Sequence, residues 1–411
     1  MTDEVSALVL ADNTDQNAVL GVSRGHAAEM ANVHARLVSD LSARTGLDRE
    51  LEVLPSEAGF ADLEADGLGL TSPELSTLIA HVKLDLTHRL LDTDLPDAAA
   101  FTHRLPEYFP HPLRERFGAA IPLHPLRREI LGTKLVNEMV DGAGITYAFR
   151  LAEETAAGPS DAVRAYAVVT QVYGLPGRWR EVRAAGMPVA VADRMILSSR
   201  RLLDRASRWF LTTRPQPLAV GAEVARFGEQ VRALRDRLPE LLAGREAEAV
   251  RSEAAALVAE GVPEHLAARA ATQIPAYSLL DVVDLVELSE RDGEPREAEE
   301  VARVYFALSD HLGVDVAQHS VSVLPRGDRW HQLARLALRD DLYGSLRAIT
   351  LDALRVADPG TPVEETIAQW EGANASRLVR ARTALEEIGR AGELDLATLS
   401  VISRQLRSLA R

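Results

Sequence analysis

Cysteine is absent from the 411-residue sequence, and aromatic residues make up only 5% of it. The lack of cysteine excludes disulfides, thiolate metal ligands and cysteine nucleophiles. No apolar run approaches the roughly 20 residues that a membrane-spanning helix needs. The first residues also lack the basic head and the apolar stretch of a secretory signal. We therefore expect a cytoplasmic protein that has no membrane partner.

Acidic residues outnumber basic ones: the sequence contains 61 Asp and Glu and 46 Lys and Arg, so its net charge is −15. This balance favours solubility and argues against a broad surface for nucleic acid. The basic and aromatic residues at 205–210 are accordingly predicted to form a packed amphipathic helix. The length of the chain exceeds what one hydrophobic core usually supports, which suggests two or three domains.

Motifs for cofactor binding and nucleophilic catalysis occur only in unsuitable contexts. Gly142-Ala143-Gly144 follows a predicted helix instead of a strand, and Tyr147 stands where a dinucleotide-binding loop would carry its third glycine. Residues 67–69 fail in the same way. Ser23 lies in a Gly-x-Ser-x-Gly sequence, but its surroundings have helical and not strand spacing, so an ordinary polar position is favoured over a nucleophile. We predict no cofactor site and no catalytic residue.

Metal binding is also disfavoured by spacing. His81 and His88 lie two turns apart on one predicted helix, which is too far for both to hold one ion. Asp281, Asp284 and Glu287 recur on one helical face, where we expect hydrated carboxylates instead of a metal site.

Apolar residues recur at helical spacing along nearly the whole chain, and no convincing strand pattern alternates with them. One long helix is predicted from Asn17 to about Ala43. Capping boxes, in which a hydroxyl residue is followed three positions later by glutamate, are predicted at Thr71 with Glu74 and at Thr361 with Glu364. The fold class predicted is all-α and multi-helical, with two packed helical subdomains and few or no strands.

Proline residues at 215 and 217 mark the best break between helical regions. We therefore predict three parts, which are a helical segment over 1–70, a helical domain over 71–213 and a C-terminal helical domain over 214–411.

The densest group of special residues lies at 124–150. Pro125 is predicted in the first turn of a helix, and two glycines end that helix. Its polar face is either simply solvated or a contact surface for another domain. His124, Arg127 and Arg128 could also hold a phosphate or carboxylate, against the alternatives of capping and interdomain ion pairing. The candidate interdomain or anion-contacting surface comprises His124, Arg127, Arg128, Asn137 and Arg150.

Several stretches together resemble the C-terminal part of the large bacterial NAD-specific glutamate dehydrogenases. They are Val9-Leu10-Ala11-Asp12-Asn13 with Gln16, residues 47–55, residues 70–75 with Lys83, Tyr108-Phe109-Pro110, His124-Pro125-Leu126-Arg127-Arg128-Glu129-Ile130, Asn137, Gly144-Ile145-Thr146, Phe149-Arg150, and Trp330 with residues 337–343. The resemblance covers nearly the whole chain.

This resemblance implies a helical region that follows a catalytic core in a far longer polypeptide, with residues 1–70 continuing from that core. The parent activity would convert L-glutamate and NAD to 2-oxoglutarate, ammonia and NADH. No catalytic or NAD-contacting residue of the family can be placed on this chain, so NAD would belong to the full-length parent. The implied partners are the catalytic core and other subunits of a homo-oligomer.

Three functions follow as hypotheses. The first is a non-catalytic C-terminal domain that serves assembly, stability or regulation. The second is a free-standing helical interaction protein derived from that region. The third is an enzyme that uses His124, Arg127 and Arg128 on an anionic substrate.

Overall fold

The computed structural model describes residues 2–325, 328–391 and 395–410, with side chains for all of these except 382–391. Within those ranges the chain forms helices and turns and no strand, so the prediction of an all-α, multi-helical fold is confirmed. No helix in this part of the chain combines the length and apolar character needed to cross a membrane. The chain divides into two compact units, Met1–Ala225 and Arg226–Arg411.

The first unit is built from eleven α-helices among its described residues, linked by turns and short 3-10 helices. Their bounds are α1 Thr2–Gly25, α2 Ala31–Thr45, α3 Glu57–Ala65, α4 Ser72–Leu91, α5 Ala99–Thr102, α6 His111–Phe117, α7 Arg127–Ala143, α8 Tyr147–Thr155, α9 Pro159–Tyr173, α10 Leu175–Ala184 and α11 Val189–Thr213. The 3-10 helices are Ala28–Met30, Leu95–Asp97, Leu105–Tyr108 and Ile121–Leu123.

The core of this unit forms where α4, α7, α9 and α11 pack on one another. The apolar stripe predicted on α4 is buried, as are nearly all residues of the second half of α9. Burial of such stripes is the main source of helix stability in a folded domain. Helix α11 buries Trp209 and Phe210, as expected for a packed amphipathic helix.

Helix α12, Val220–Asp236, crosses the division between the units. The second unit continues with α13 Leu238–Leu241, α14 Gly244–Ala259, α15 Glu264–Ala271, the 3-10 helix Pro275–Ser278, α16 Leu279–Arg291, α17 Ala298–His311, α18 Val314–Val323, α19 Arg329–Val356, α20 Val363–Ala391 and α21 Leu396–Leu409. Helix α16 is buried on every side over residues 279–286, and α17 and α19 pack against it.

Two predictions about helix bounds differ from the structure. The predicted long helix at residues 17–43 is two helices, because α1 ends at Gly25 and α2 begins at Ala31. The backbone of Gly69 approaches so closely at this break that a Cβ added to it would lie 2.2 Å from the carbonyl carbon of Ala27. Pro125 lies in the turn before α7, which begins at Arg127.

The two predicted capping boxes have different outcomes. Glu74 accepts a hydrogen bond from the backbone N–H of Thr71 at 2.6 Å, and the Thr71 hydroxyl donates to the same carboxylate. By contrast, α20 begins at Val363, and the Thr361 hydroxyl donates to the carbonyl of Asp358 at 2.7 Å. The second capping box is therefore wrong, because Thr361 belongs to the preceding turn.

Candidate functional site

The two arginines at the start of α7 share one carboxylate. An Arg127 nitrogen lies 3.3 Å from Asp97, and the Arg128 guanidinium also pairs with Asp97. Arg128 further donates to the backbone carbonyls of Leu91 and Thr93 at 2.9 Å. Those carbonyls lie at and just beyond the end of α4, where a cation is favoured by the helix dipole. Arg128 thus joins the start of α7 to the end of α4.

His124 lies just before α7 and is half-buried. Its Nδ1 accepts from the backbone N–H of Leu126 at 3.1 Å, and its ring lies 5.9 Å from that of Phe109. These contacts fix the turn that leads into α7. The geometry is that of a turn-capping residue, which was one of the alternatives for His124.

The remaining polar face of α7 is also engaged with its own unit. Lys134 pairs with Glu138 at 2.8 Å and with Glu107 at 3.2 Å, and Arg104 pairs with Glu138 from the opposite side. Asn137 is half-buried on the same helix.

Arg150 lies on α8, beyond the other end of α7. It pairs with Asp204 of α11 at 2.7 Å, and its Nε donates to the Thr146 hydroxyl at 3.2 Å. Since α7 has 17 residues, its two ends are about 25 Å apart at 1.5 Å per residue. The structure therefore brings Arg127 and Arg128 together at one end and leaves Arg150 at the other.

A buried polar cluster at the C-terminal end of α7 was not foreseen from the sequence. The buried guanidinium of Arg200 donates to the carbonyls of Gly142 and Asp141 at 2.8 and 2.9 Å. Burial lowers the pKa of Arg200 to about 10, so the group stays cationic at neutral pH and faces the negative end of the helix dipole. Lys83 pairs with the Asp141 side chain at 2.7 Å.

Aromatic hydroxyl and indole groups complete this cluster. Tyr147 donates to the Ser207 hydroxyl at 2.6 Å, and the Trp179 indole donates to the Ser199 hydroxyl at 2.9 Å. Burial raises the pKa of Tyr147 well above its ordinary value, so it remains a neutral donor. The sequence carried no signal for these pairs because their members lie 20 to 60 residues apart along the chain.

The glycine pair at the end of α7 does not fit a dinucleotide. A Cβ added at Gly142 would lie 2.3 Å from the hydroxyl of Tyr166 and 2.8 Å from Trp179, so side chains of the same unit fill the space beside it. Gly142 lies in the last turn of α7, and α8 follows Gly144. A pyrophosphate site needs backbone N–H groups exposed between a strand and a helix. These residues provide packing space and not a cofactor cradle.

The other candidate positions are likewise part of the packing. Ser23 is buried within α1, in a helical setting that differs from the strand-to-helix elbow of a nucleophile. His81 pairs with Glu52 at 3.1 Å on one side of α4, whereas His88 is exposed. No group of three His, Asp or Glu side chains suited to a metal ion occurs in the ranges that the structure describes.

The expectation of hydrated carboxylates on α16 is wrong. Asp281 and Asp284 are buried. Asp284 pairs with Arg226 at 3.3 Å and also with Arg347, and Glu287 pairs with Arg226. A buried carboxylate needs such partners because its desolvation is costly. These arginines come from α12 and α19, far from α16 in sequence, which is why the local pattern did not predict them.

Comparison with known proteins identifies the family to which the chain belongs. A family model described as "Glutamate dehydrogenase, C-terminal" matches residues 67–408. The chain belongs to this family. It is 52% identical over 411 residues to the NAD-specific glutamate dehydrogenase of Mycobacterium tuberculosis, and 36% identical over 413 residues to that of Pseudomonas aeruginosa. The corresponding enzyme of Halomonas elongata is 30% identical over 412 residues.

Each of these matches covers the whole chain but only 25% of the relative. The chain thus spans about a quarter of the length of the curated relatives it matches. It corresponds to a C-terminal part of large NAD-specific glutamate dehydrogenases, and the resemblance inferred from its motifs is confirmed.

Proposed function

We propose that the chain acts as a non-catalytic helical domain of an NAD-dependent glutamate dehydrogenase, in which it supports assembly, stability or regulation. The parent enzyme would convert L-glutamate and NAD to 2-oxoglutarate, ammonia and NADH in the cytoplasm. NAD and the catalytic residues would belong to the remaining three-quarters of the polypeptide. The observation that carries the proposal is the match over the whole chain to one quarter of these enzymes.

The buried polar residues form hydrogen bonds within their own unit, which supports a structural role. Arg200, Tyr147 and Trp179 donate to partners within the first unit, and the glycine pair is closely packed. Such fully engaged groups stabilise one arrangement of helices, whereas a catalytic group must also face a substrate.

The start of α7 is the part of the predicted surface that remains suited to contact with another domain. Arg127 is exposed and holds Asp97 at 3.3 Å, and the exposed Leu123 and Leu126 flank it. An apolar side chain next to an exposed arginine is typical of interfaces. Asn137, farther along α7, and Arg150, beyond the other end of that helix, would extend this surface away from Arg127. An anionic substrate would have to displace Asp97 from both Arg127 and Arg128, which disfavours the third hypothesis.

Deleting the matching region from the M. tuberculosis relative tests the proposal. We expect the truncated enzyme to lose oligomer size or thermal stability, or to form NADH several-fold more slowly. Size-exclusion chromatography with light scattering, thermal unfolding and glutamate-dependent NADH formation measure these outcomes. A truncated enzyme with unchanged oligomer size, thermal stability and rate of NADH formation would contradict the proposal and favour a free-standing interaction protein.

A further inference from the structure

The first half of α1 leaves an apolar stripe uncovered. Val5, Leu8 and Val9 are 43%, 40% and 53% exposed, and they occupy positions i, i+3 and i+4 of the helix. Residues with this spacing share one face. Nearly every described residue before Ala18 is exposed, so this half of the helix extends beyond the packed part of its unit.

The uncovered stripe lies on the same face of α1 that is buried in the second half of the helix. Val5 and Ser23 are 18 residues apart, which is five full turns, and Leu8 and Val19 are 11 residues apart, within about 20° of the same direction. Both Val19 and Ser23 are buried. One helix face therefore serves as core in its second half and stands open in its first half.

A second exposed segment lies against the same half of α1. The backbone N–H of His111 donates to Glu4 at 2.5 Å. The chain around His111 exposes Tyr108, Phe117 and Leu123, with the Arg116 guanidinium 5.1 Å from the Phe117 ring centroid. Exposed apolar side chains gathered in one region typically mark an interaction surface.

We propose that the α1 docking face, defined by Val5, Leu8 and Val9, binds the part of the longer glutamate dehydrogenase polypeptide that lies outside this region; this inference rests on the proposed function. The relatives contain about three times as much further chain. The family model begins at residue 67, whereas the match to the relatives includes α1. Helix α1 therefore lies outside the C-terminal family region while remaining part of what the relatives share.

Charge defines the chemistry of this partner. The exposed half of α1 carries Asp3, Glu4, Asp12 and Asp15, and the sequence has no Lys, Arg or His before Arg24. Asp15 already pairs with Arg183 at 3.1 Å, whereas Asp12 lies within about 20° of Val5 on the docking face and has to be met by a cation of the partner. A fitting partner is an apolar groove rimmed by lysine or arginine, into which the helix lays its apolar stripe. A second copy of α1 would place like charges against each other, which disfavours self-association through this face.

The test is binding of the full chain to the M. tuberculosis relative truncated to lack the matching region, measured by sedimentation velocity. The double variant Val5→Asp with Val9→Asp places carboxylates on the docking face. We expect this variant to weaken binding at least about tenfold, because two apolar side chains that the contact would bury become charged. Circular dichroism and urea unfolding check that the variant keeps the fold of the chain.

The matched control is Val189→Asp with Val401→Asp. These valines also lie on helices and are 75% and 44% exposed. We expect the control to bind within about twofold of the unmodified chain.

Three results would overturn the inference. If the docking-face variant binds as well as the control, this face is not the contact, and the proposed function stands. If the chain self-associates through Val5 and Val9 and does not bind the truncated enzyme, the occupant is a second copy. If the unmodified chain neither binds the truncated enzyme nor changes its NADH formation, the proposed function fails as well.

Discussion

Gly142 illustrates how a residue that resembles part of a cofactor motif serves packing instead. Its missing side chain leaves room for the Tyr166 hydroxyl and the Trp179 ring, both buried. Protein interiors are close-packed, so one extra methyl group there forces its neighbours to shift.

The variant Gly142→Ala should lower the free energy of unfolding by about 1–3 kcal/mol, despite the better helix propensity of alanine. Urea unfolding followed by tryptophan fluorescence measures this change. Gly177→Ala is the control, since a Cβ on that helical residue would meet nothing within 4 Å. It should be neutral or stabilise by up to about 1 kcal/mol. Equal effects at the two positions would refute the packing role of Gly142.

Two histidines near the start of α2 make the stability of the first unit depend on pH. Burial and, to a smaller extent, the charge of nearby His26 together lower the pKa of His34 from 6.5 to about 4. The pKa of His26 is also lowered to about 4, chiefly by burial. Between these values the unfolded chain binds protons that the folded chain does not. Stability should therefore fall as the pH drops from about 6.5 to about 4.

We expect His34→Gln to reduce the loss of unfolding free energy between pH 7 and pH 4.5 by about 2–3 kcal/mol. The reason is that the variant lacks a group whose pKa is lower in the folded chain than in the unfolded chain. Urea midpoints at pH 7 and pH 4.5 give the comparison. His88→Gln, at an exposed position of α4, is the matched control. If His34→Gln loses as much stability on acidification as the unmodified chain, His34 is not the group responsible.

At the residue scale, the sequence predicted best where chemistry depends on local context. The helical setting of Ser23 and the helix before Gly142 could be read from neighbouring residues. The partners of Arg200 and Asp284 could not, because each bond joins residues 58 or more positions apart. Whether His124, Arg127, Arg128, Asn137 and Arg150 contact another domain stays a prediction.

At the scale of helices, a predicted capping box formed only where its hydroxyl residue makes no hydrogen bond to the preceding turn. Glu74 caps α4 through the Thr71 N–H, whereas Thr361 is drawn into a turn by the carbonyl of Asp358. Side chains of this kind can bond to turn backbone as readily as to a helix end. The division of α1 from α2 was also missed, and a residue distant in sequence, Gly69, packs against the backbone at that break.

The ion pairs of Asp284 join three helices of the second unit. Asp284→Asn should destabilise that unit by roughly 3 kcal/mol, because the Arg226 and Arg347 guanidiniums would lose a buried carboxylate. Asp292→Asn is the control, since its pair with Arg355 at 2.6 Å is solvent-exposed. It should cost less than about 1 kcal/mol. Denaturant unfolding of both variants measures the difference, and similar losses would show that burial at Asp284 contributes little.

At the scale of the whole molecule, the all-α class followed from helical spacing along nearly the entire chain, together with the lack of alternating strand patterns. The proline-rich break at residues 214–217 precedes the division observed after Ala225. The helix that crosses this division shows why composition alone did not locate it, because compact units are set by long-range packing. The three predicted domain ranges therefore stay a prediction.

We predict that this chain carries no catalysis of its own and acts on the rest of a glutamate dehydrogenase. Glutamate-dependent NADH formation tests it most directly, with the chain alone, the M. tuberculosis relative truncated before the matching region, and the two mixed. We expect no NADH from the chain alone and a several-fold gain when it is added to the truncated enzyme. NADH formation by the chain alone, or a mixture no more active than the truncated enzyme, would contradict this prediction.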